Sequence, residues 1–458
     1  MHFDDLLKVL GELGRYQQIR LFYIYLVAIV CAFHAMNMVF VSAKPDYKCH
    51  VSKANVSDRI FGNTTEKDFQ DFLQSAGKCE IYDEKMVSKL ISSGKYTLND
   101  IITNNVTVPK NKCTEWDYSR EVYGPTIVTQ FDLVCDKDWL RSTSKTLYFF
   151  GRLVGAVCFG QLSDIVGRKP TFFACLLMLL IVGCVASAAP NFYVFIPFYI
   201  LQGAAQTGLF LVIFIMGTEL VGPSYRMFAG FVIHAFYAIG YMTLAGLSYG
   251  IGNWRYIELV ITVPVVLFVP YIWLLPESIR WLLSNHKEEE AKRIIRKVAA
   301  TNHVEISEEL LEDLTKLDEK SETETKGRKY TIIDLCRPGI ICLSLNVWFN
   351  WLVNAMLYYG LSLGTGNLGG DPYINFCIAG AVEIPACIMC ILILNPLGRR
   401  RPLCVIMVIG GAACIATGFI ALLLPETSGK PLPQTLEDVI GTEKRKAKYR
   451  GIKMKDCS

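Results

Sequence analysis

Nine runs of about 20 apolar residues constrain this 458-residue chain more than any other feature. They lie at about 21–41, 146–164, 171–190, 192–217, 228–250, 257–275, 339–363, 373–394 and 403–424. A helix needs about 20 such residues to cross a hydrocarbon core roughly 30 Å thick. Lipid offers no water to backbone N–H and C=O groups, so each run must satisfy them internally as a helix. The expectation is an all-α polytopic membrane protein. Only 19% of the residues are charged, against about a quarter in soluble domains. Those charges collect in 45–142, 277–334 and 426–458, between the runs. A net charge of +4, with no basic patch interleaved with aromatic residues, implies no nucleic-acid partner. No phosphate-cradling glycine loop, metal-ligand cluster or nucleophile triad stands in a credible setting. This argues against an enzyme or an ATP-driven pump and implies no cofactor.

The first run follows Lys8, Arg15 and Arg20. It is longer than the 7–15 residues of a signal-peptide core, so it reads as an uncleaved anchor with residues 1–20 in the cytosol. Residues 42–145 then form one long loop. It holds Cys49, Cys79, Cys113 and Cys135, and the sequons at Asn55, Asn63 and Asn105. An even cysteine count together with sequons predicts an extracellular, glycosylated, disulfide-bonded domain. Four cysteines allow three pairings, and the sequence prefers none. The other twelve cysteines read as small apolar filler. Arg168 and Lys169 follow the second run, Arg226 the fourth, and Arg399, Arg400 and Arg401 the eighth. That is the positive-inside pattern, with Arg255 as its exception. Residues 276–335 are then a cytosolic linker, in which Glu288-Glu-Glu-Ala-Lys-Arg-Ile-Ile-Arg-Lys predicts an amphipathic helix with acids first and bases last, as the macrodipole favours.

Two motifs recur. Gly167-Arg168-Lys169-Pro170 is echoed by Gly398-Arg399-Arg400-Arg401-Pro402, and Pro276-Glu277-Ser278 by Pro425-Glu426-Thr427. The stretch Gly160-Gln-Leu-Ser-Asp164-Ile-Val-Gly167-Arg168-Lys169 resembles the signature between the second and third helices of the major facilitator superfamily, whose halves are parallel six-helix repeats. Further stretches resemble the organic cation, anion and zwitterion (carnitine-type) transporters of that superfamily. These are Thr126-Ile-Val-Thr-Gln-Phe-Asp-Leu-Val-Cys135-Asp, Pro276-Glu-Ser-Ile-Arg-Trp-Leu, Tyr358-Tyr-Gly-Leu-Ser-Leu, Gly380-Ala-Val-Glu383-Ile-Pro-Ala and Leu424-Pro-Glu-Thr-Ser-Gly-Lys-Pro-Leu-Pro. The resemblance runs from residue 1 to about 440. It implies a multi-pass plasma-membrane carrier that moves a small organic ion by alternating access, an organic cation or a zwitterion such as carnitine being favoured. Its partners would be that ion and the lipid bilayer.

The repeat spacing departs from the family. Gly167 to Pro276 is 109 residues and Gly398 to Pro425 is 27, a shortfall of 82, or about three helices. The expectation is a six-helix first half followed by a truncated second half, 336–425, and a basic tail, 426–458. The run 403–424, about 33 Å as a helix, reads as the start of a ninth family helix joined to the end of a twelfth. It would put two motifs that face the cytosol in the family on opposite sides. The chain therefore reads as a splice variant or a gene product lacking exons. The competing reading of its function is a non-transporting, truncated isoform.

A carrier needs polar groups facing a central cavity. Asn346, Asn350, Asn354 and Tyr358 recur every four residues, on nearly one helix face. They suit a polar organic ion, or else hydrogen-bond between helices. Glu383 is an intramembrane carboxylate that needs a partner or a cationic ligand. Arg152 either snorkels outward or attracts carboxylates, and with Glu383 it would suit a zwitterion. Gln202, Gln206, Tyr237 and Tyr241 are further candidates, the tyrosines for cation–π contact with a quaternary ammonium or simply for packing. His34 and His234 read as packed helix residues rather than proton relays. Asp164, Arg168, Glu219, Arg226, Glu277 and Arg280 read as an inner gate network held by charge-assisted contacts.

Overall fold

Asn and Asp side chains start several of the helices. Asn191 accepts a hydrogen bond from the Val194 N–H, Asn253 from Arg255, and Asp371 from Tyr373 and Ile374. Each satisfies an N–H that the first helical turn leaves unpaired. In the computed structural model the described residues are 3–51, 66–93, 96, 98–103, 106–306, 337–338, 340–365 and 370–398. Eight helices among them are long and apolar enough to cross a membrane, and they coincide with eight of the nine apolar runs. The ninth run, 403–424, the basic tail and the three sequons lie outside the described residues.

The chain begins with α1 (Phe3–Val9) and α2 (Arg15–Met36), the latter continued by Met38–Val41. Then come α3 (Asp138–Val166), α4 (Arg168–Ala188), α5 (Phe192–Leu220), α6 (Arg226–Ile251) and α7 (Trp254–Thr262). The span begun by α7 runs on as a 3-10 segment, Val263–Phe268, and a last turn, Tyr271–Leu274. Two short linker helices follow, α8 (Ile279–Ser284) and α9 (Glu288–Asn302). The second set of spans is α10 (Ile341–Gly364) and α11 (Pro372–Leu397).

Helix α3 starts at Asp138 and α2 at Arg15, each before its apolar run, because the polar turns at these ends are helical as well. Small residues let α3 and α5 touch backbone to backbone. A methyl added at Gly151 would strike the Ile200 carbonyl, and one at Gly155 the Ala204 carbonyl. Lipid gives no hydrophobic drive for helices to associate, so such van der Waals contact does the work. Helix α6 packs on α2 and on α11, with Tyr241 stacked on Phe376 at 3.9 Å between ring centroids.

The 42–145 loop carries short strands beside its short helices. Two antiparallel ribbons tie it together: β1 (Tyr47–Cys49) with β4 (Trp116–Tyr118), and β2 (Glu80–Tyr82) with β3 (Lys110–Lys112). Disulfides join Cys49 to Cys113 and Cys79 to Cys135. The Thr126-Ile-Val-Thr-Gln stretch forms a capping box and fastens the loop to the spans. The Thr126 hydroxyl donates to the Ala43 carbonyl at 3.0 Å, and the Trp254 indole donates to Gln130 at 2.7 Å.

At the other end, α1 docks on the linker. Leu6, Leu10 and Tyr16 pack against Trp281, Ile295 and Val298. Asn302 ties them further: its Oδ1 accepts from the Tyr16 N–H, and its Nδ2 donates to the Leu10 carbonyl and to Gln17. The acid-first helix predicted from Glu288 is present as α9, its apolar face turned to α1.

Candidate functional site: two charged centres and a buried polar cluster

The first centre is built on the turn between α3 and α4. Gly167 holds φ at +117°, and a methyl there would strike the Glu277 carboxylate. Glycine alone takes that backbone without cost. The turn aims the Arg168 and Lys169 N–H groups at Glu277, with contacts of 3.0 to 3.3 Å, and Glu277 also accepts from Ser278 at 2.8 Å. Burial pushes the Glu277 carboxyl above its usual range, and the three N–H donors pull it back. The Arg168 guanidinium grips Glu219 with two bonds of 3.2 Å and reaches Asp164 at 3.0 Å. Trp281 donates to the Asp164 carbonyl at 2.8 Å. Arg168, Glu219, Asp164 and Glu277 are thus brought together. Arg226 is held elsewhere, by Asp4 of α1 and the Thr218 carbonyl. Arg280 forms no ion pair among the described residues.

The second centre lies where α3, α6, α10 and α11 meet. The Arg152 Nε donates to Thr207 at 3.0 Å, and its guanidinium carbon sits 4.9 Å from the Tyr359 ring centroid and 5.4 Å from that of Phe149. Its Nη1 is buried without a hydrogen-bond partner. Arg152 does not snorkel out. The Tyr358 hydroxyl donates to the Glu383 carboxylate at 2.8 Å. Tyr237 is buried within electrostatic range of Arg152, Tyr359 and Glu383. Asn346, Asn350 and Asn354 do share one face of α10. Asn350 and Asn354 donate back along their own helix, and the Asn350 Oδ1 is left buried and unpaired.

Gln206 borders this centre through Thr207, while Tyr241 and Gln202 sit away from it. Gln206 donates to the Cys31 carbonyl at 3.2 Å. Tyr241 is covered by Phe376. Gln202 belongs to a fully buried polar cluster centred on Glu258, a residue that sequence reasoning missed. Asn37 donates to Glu258 at 2.5 Å, and Gln202 donates to its other oxygen. The same Gln202 nitrogen lies 2.8 Å from His34 Nδ1, and His34 is 3.9 Å from Glu258. The signal for Glu258 was an acid inside the sixth apolar run. Its neighbours are far away in sequence, on α2 and α5. His34 is buried, and its neighbour there is a carboxylate rather than apolar packing alone. His234 bonds its own helix at the Gly230 carbonyl.

Paired helical spans, a charge-latched Gly-Arg-Lys turn and ionisable groups in mid-span define a multi-pass membrane transporter of the major facilitator kind, not an enzyme. Residues 74–436 match the sugar (and other) transporter family. The chain belongs, within that superfamily, to the organic cation and carnitine transporters. It is 39% identical over 428 residues to the organic cation transporter protein of Drosophila melanogaster, an alignment covering 92% of this chain and 76% of that one. It is 32% identical to the human organic cation/carnitine transporter 2, over 93% of this chain and 75% of the relative. Among solved structures it resembles the proton:xylose symporter XylE, with a TM-score of 0.50 and 15% identity over 89% of this chain and 79% of that one. That likeness supports the fold alone. The comparisons lend no support to a non-transporting isoform.

Proposed function

We propose that the chain is a plasma-membrane carrier moving small organic cations or zwitterions of the carnitine kind by alternating access. One observation carries the reading: two mid-span charges, Arg152 and Glu383, are not spent on each other. The guanidinium keeps a buried, unpartnered Nη1, while the carboxylate is held by a single phenol. An unpaired buried charge is costly, and a ligand of opposite charge relieves the cost. A substrate carboxylate fits Arg152, and a substrate ammonium fits Glu383 with the faces of Tyr237, Tyr358 and Tyr359. The names of the relatives point to the same chemistry. Asn346, Asn350 and Asn354 flank this site, and we assign them to its polar wall.

The remaining assignments follow the charge pattern. The α3–α4 turn and the linker lie at the cytosolic face, where Arg168, Asp164, Glu219 and Glu277 latch one gating state. The 42–145 loop lies outside, glycosylated at Asn55, Asn63 and Asn105. Uptake of tetraethylammonium, L-carnitine and hippurate into cells expressing the chain tests the function. Saturable uptake of the cation or the zwitterion above that of control cells is expected. Uptake of none of the three would contradict it, as would uptake of hippurate alone.

A further inference from the structure

The Glu258 cluster takes no part in the substrate site, yet it holds a carboxylate where a charge is most costly. Glu258 and His34 are each 1% exposed, as is Gln202, and Asn37 is 2%. No lysine or arginine lies within ion-pair distance of Glu258 among the described residues. Arg255, one turn earlier on α7, bonds the carbonyls of Ser187 and Ala189. The titratable groups that face Glu258 from the elements packed on it are His34 on α2, Tyr148 on α3 and Tyr199 on α5. Of these, His34 alone comes within 4 Å of the carboxylate.

The amides around it suit two protonation states. In the charged form both carboxylate oxygens accept from N–H groups, of Asn37 and Gln202. The amide oxygens of the same two residues are buried and have no partner. When the carboxylate gains a proton, its new O–H donates to one of those oxygens once that amide turns over. His34 is placed to exchange the proton, with Nδ1 facing Gln202 and Nε2 unpartnered. In the rotamers present the amides offer N–H groups to the carboxylate, the arrangement that suits an anion; a sodium ion would need both amides to turn over.

Two helices tie the cluster to the substrate site. The Tyr148 hydroxyl donates to the His34 carbonyl at 2.8 Å, and Tyr148 stands one turn from Arg152 on α3. Gln202 stands one turn from Gln206 on α5, and Gln206 accepts from the Thr207 that receives Arg152.

We infer that Glu258, with His34, is a proton-binding site whose loading and release are coupled to movement of the organic substrate. This rests on the carrier reading above. The test uses the full chain in proteoliposomes, with membrane potential clamped, sodium absent, and L-carnitine and tetraethylammonium as probes. A pH step of one unit is expected to drive about tenfold accumulation at one proton per substrate. Glu258→Gln should bring accumulation down to equilibrium while counterflow exchange persists, which also shows that the variant is folded. In detergent, adding the probe to the unmutated protein should shift an indicator dye by up to one proton per carrier, and adding it to Glu258→Gln should not. The inference is overturned if the unmutated protein ignores the pH step, if only a sodium gradient drives accumulation, or if Glu258→Gln still accumulates. Absence of counterflow in the unmutated protein would remove the carrier reading itself, and this inference with it.

Discussion

Two arginines of this molecule, Arg168 and Arg152, are both drawn into its interior, and they are treated in opposite ways. Arg168 has two carboxylates on its guanidinium and a third acid on the backbone beside it. Arg152 has one threonine, two ring faces and a nitrogen left over. A charge that is matched within the protein holds the protein together, since removing one partner leaves the other stranded. A charge that is unmatched contributes little to the fold and waits for a ligand. On the proposed function, this contrast separates a latch at Arg168 from a substrate contact at Arg152.

Substitutions can break that contrast. Arg168→Ala should have the largest effect on stability, because it strands Glu219, 11% exposed at its side chain. A loss of about 3–5 kcal/mol is expected, seen as a lowered melting temperature in detergent. Arg168→Lys should recover part of it, since lysine keeps the charge and loses the two-pronged grip. Glu277→Gln comes next, with about 1.5–3 kcal/mol lost from its charge-assisted bonds to three N–H groups. Arg152→Met should leave the melting temperature nearly unchanged, within about 1 kcal/mol, because an unpaired buried charge leaves with the side chain. Glu383→Gln should be smaller still, about 0.5–1 kcal/mol, since the amide oxygen keeps the bond from Tyr358. A large loss at Arg152 and none at Arg168 would invert the comparison.

The sequence reveals much of the frame and less of the contacts. The spans were legible because lipid imposes a length and a composition on every crossing helix. The Arg168 cluster was legible because Gly167, Arg168 and Glu277 sit in short motifs whose chemistry is local. Arg226 was drawn to the same network, but its partner Asp4 comes from α1, and nothing near either residue signals the pairing. The Asn ladder of α10 was read correctly as one face by its spacing of four. That two of its amides bond their own helix depends on side-chain rotamers that spacing does not fix. Glu258 was hidden because hydropathy averages over a window, and one acid among apolar neighbours barely lowers the mean. Asn37 and Gln202, which make that acid tolerable, are 221 and 56 residues away. The cysteine pairing was equally closed to sequence: three pairings fit four cysteines, and even the β2–β3 register, which sets Cys79 opposite Cys113, does not give the bonds formed, Cys49–Cys113 and Cys79–Cys135.

The most direct test of the contrast is the charge preference of the substrate site. Uptake of tetraethylammonium and L-carnitine would be measured in the unmutated chain, in Arg152→Met and in Glu383→Gln. Arg152→Met should lose L-carnitine and keep tetraethylammonium, because only the carboxylate loses its partner. Glu383→Gln should weaken both, because both carry the ammonium. Unchanged uptake of both probes in both variants would contradict the account.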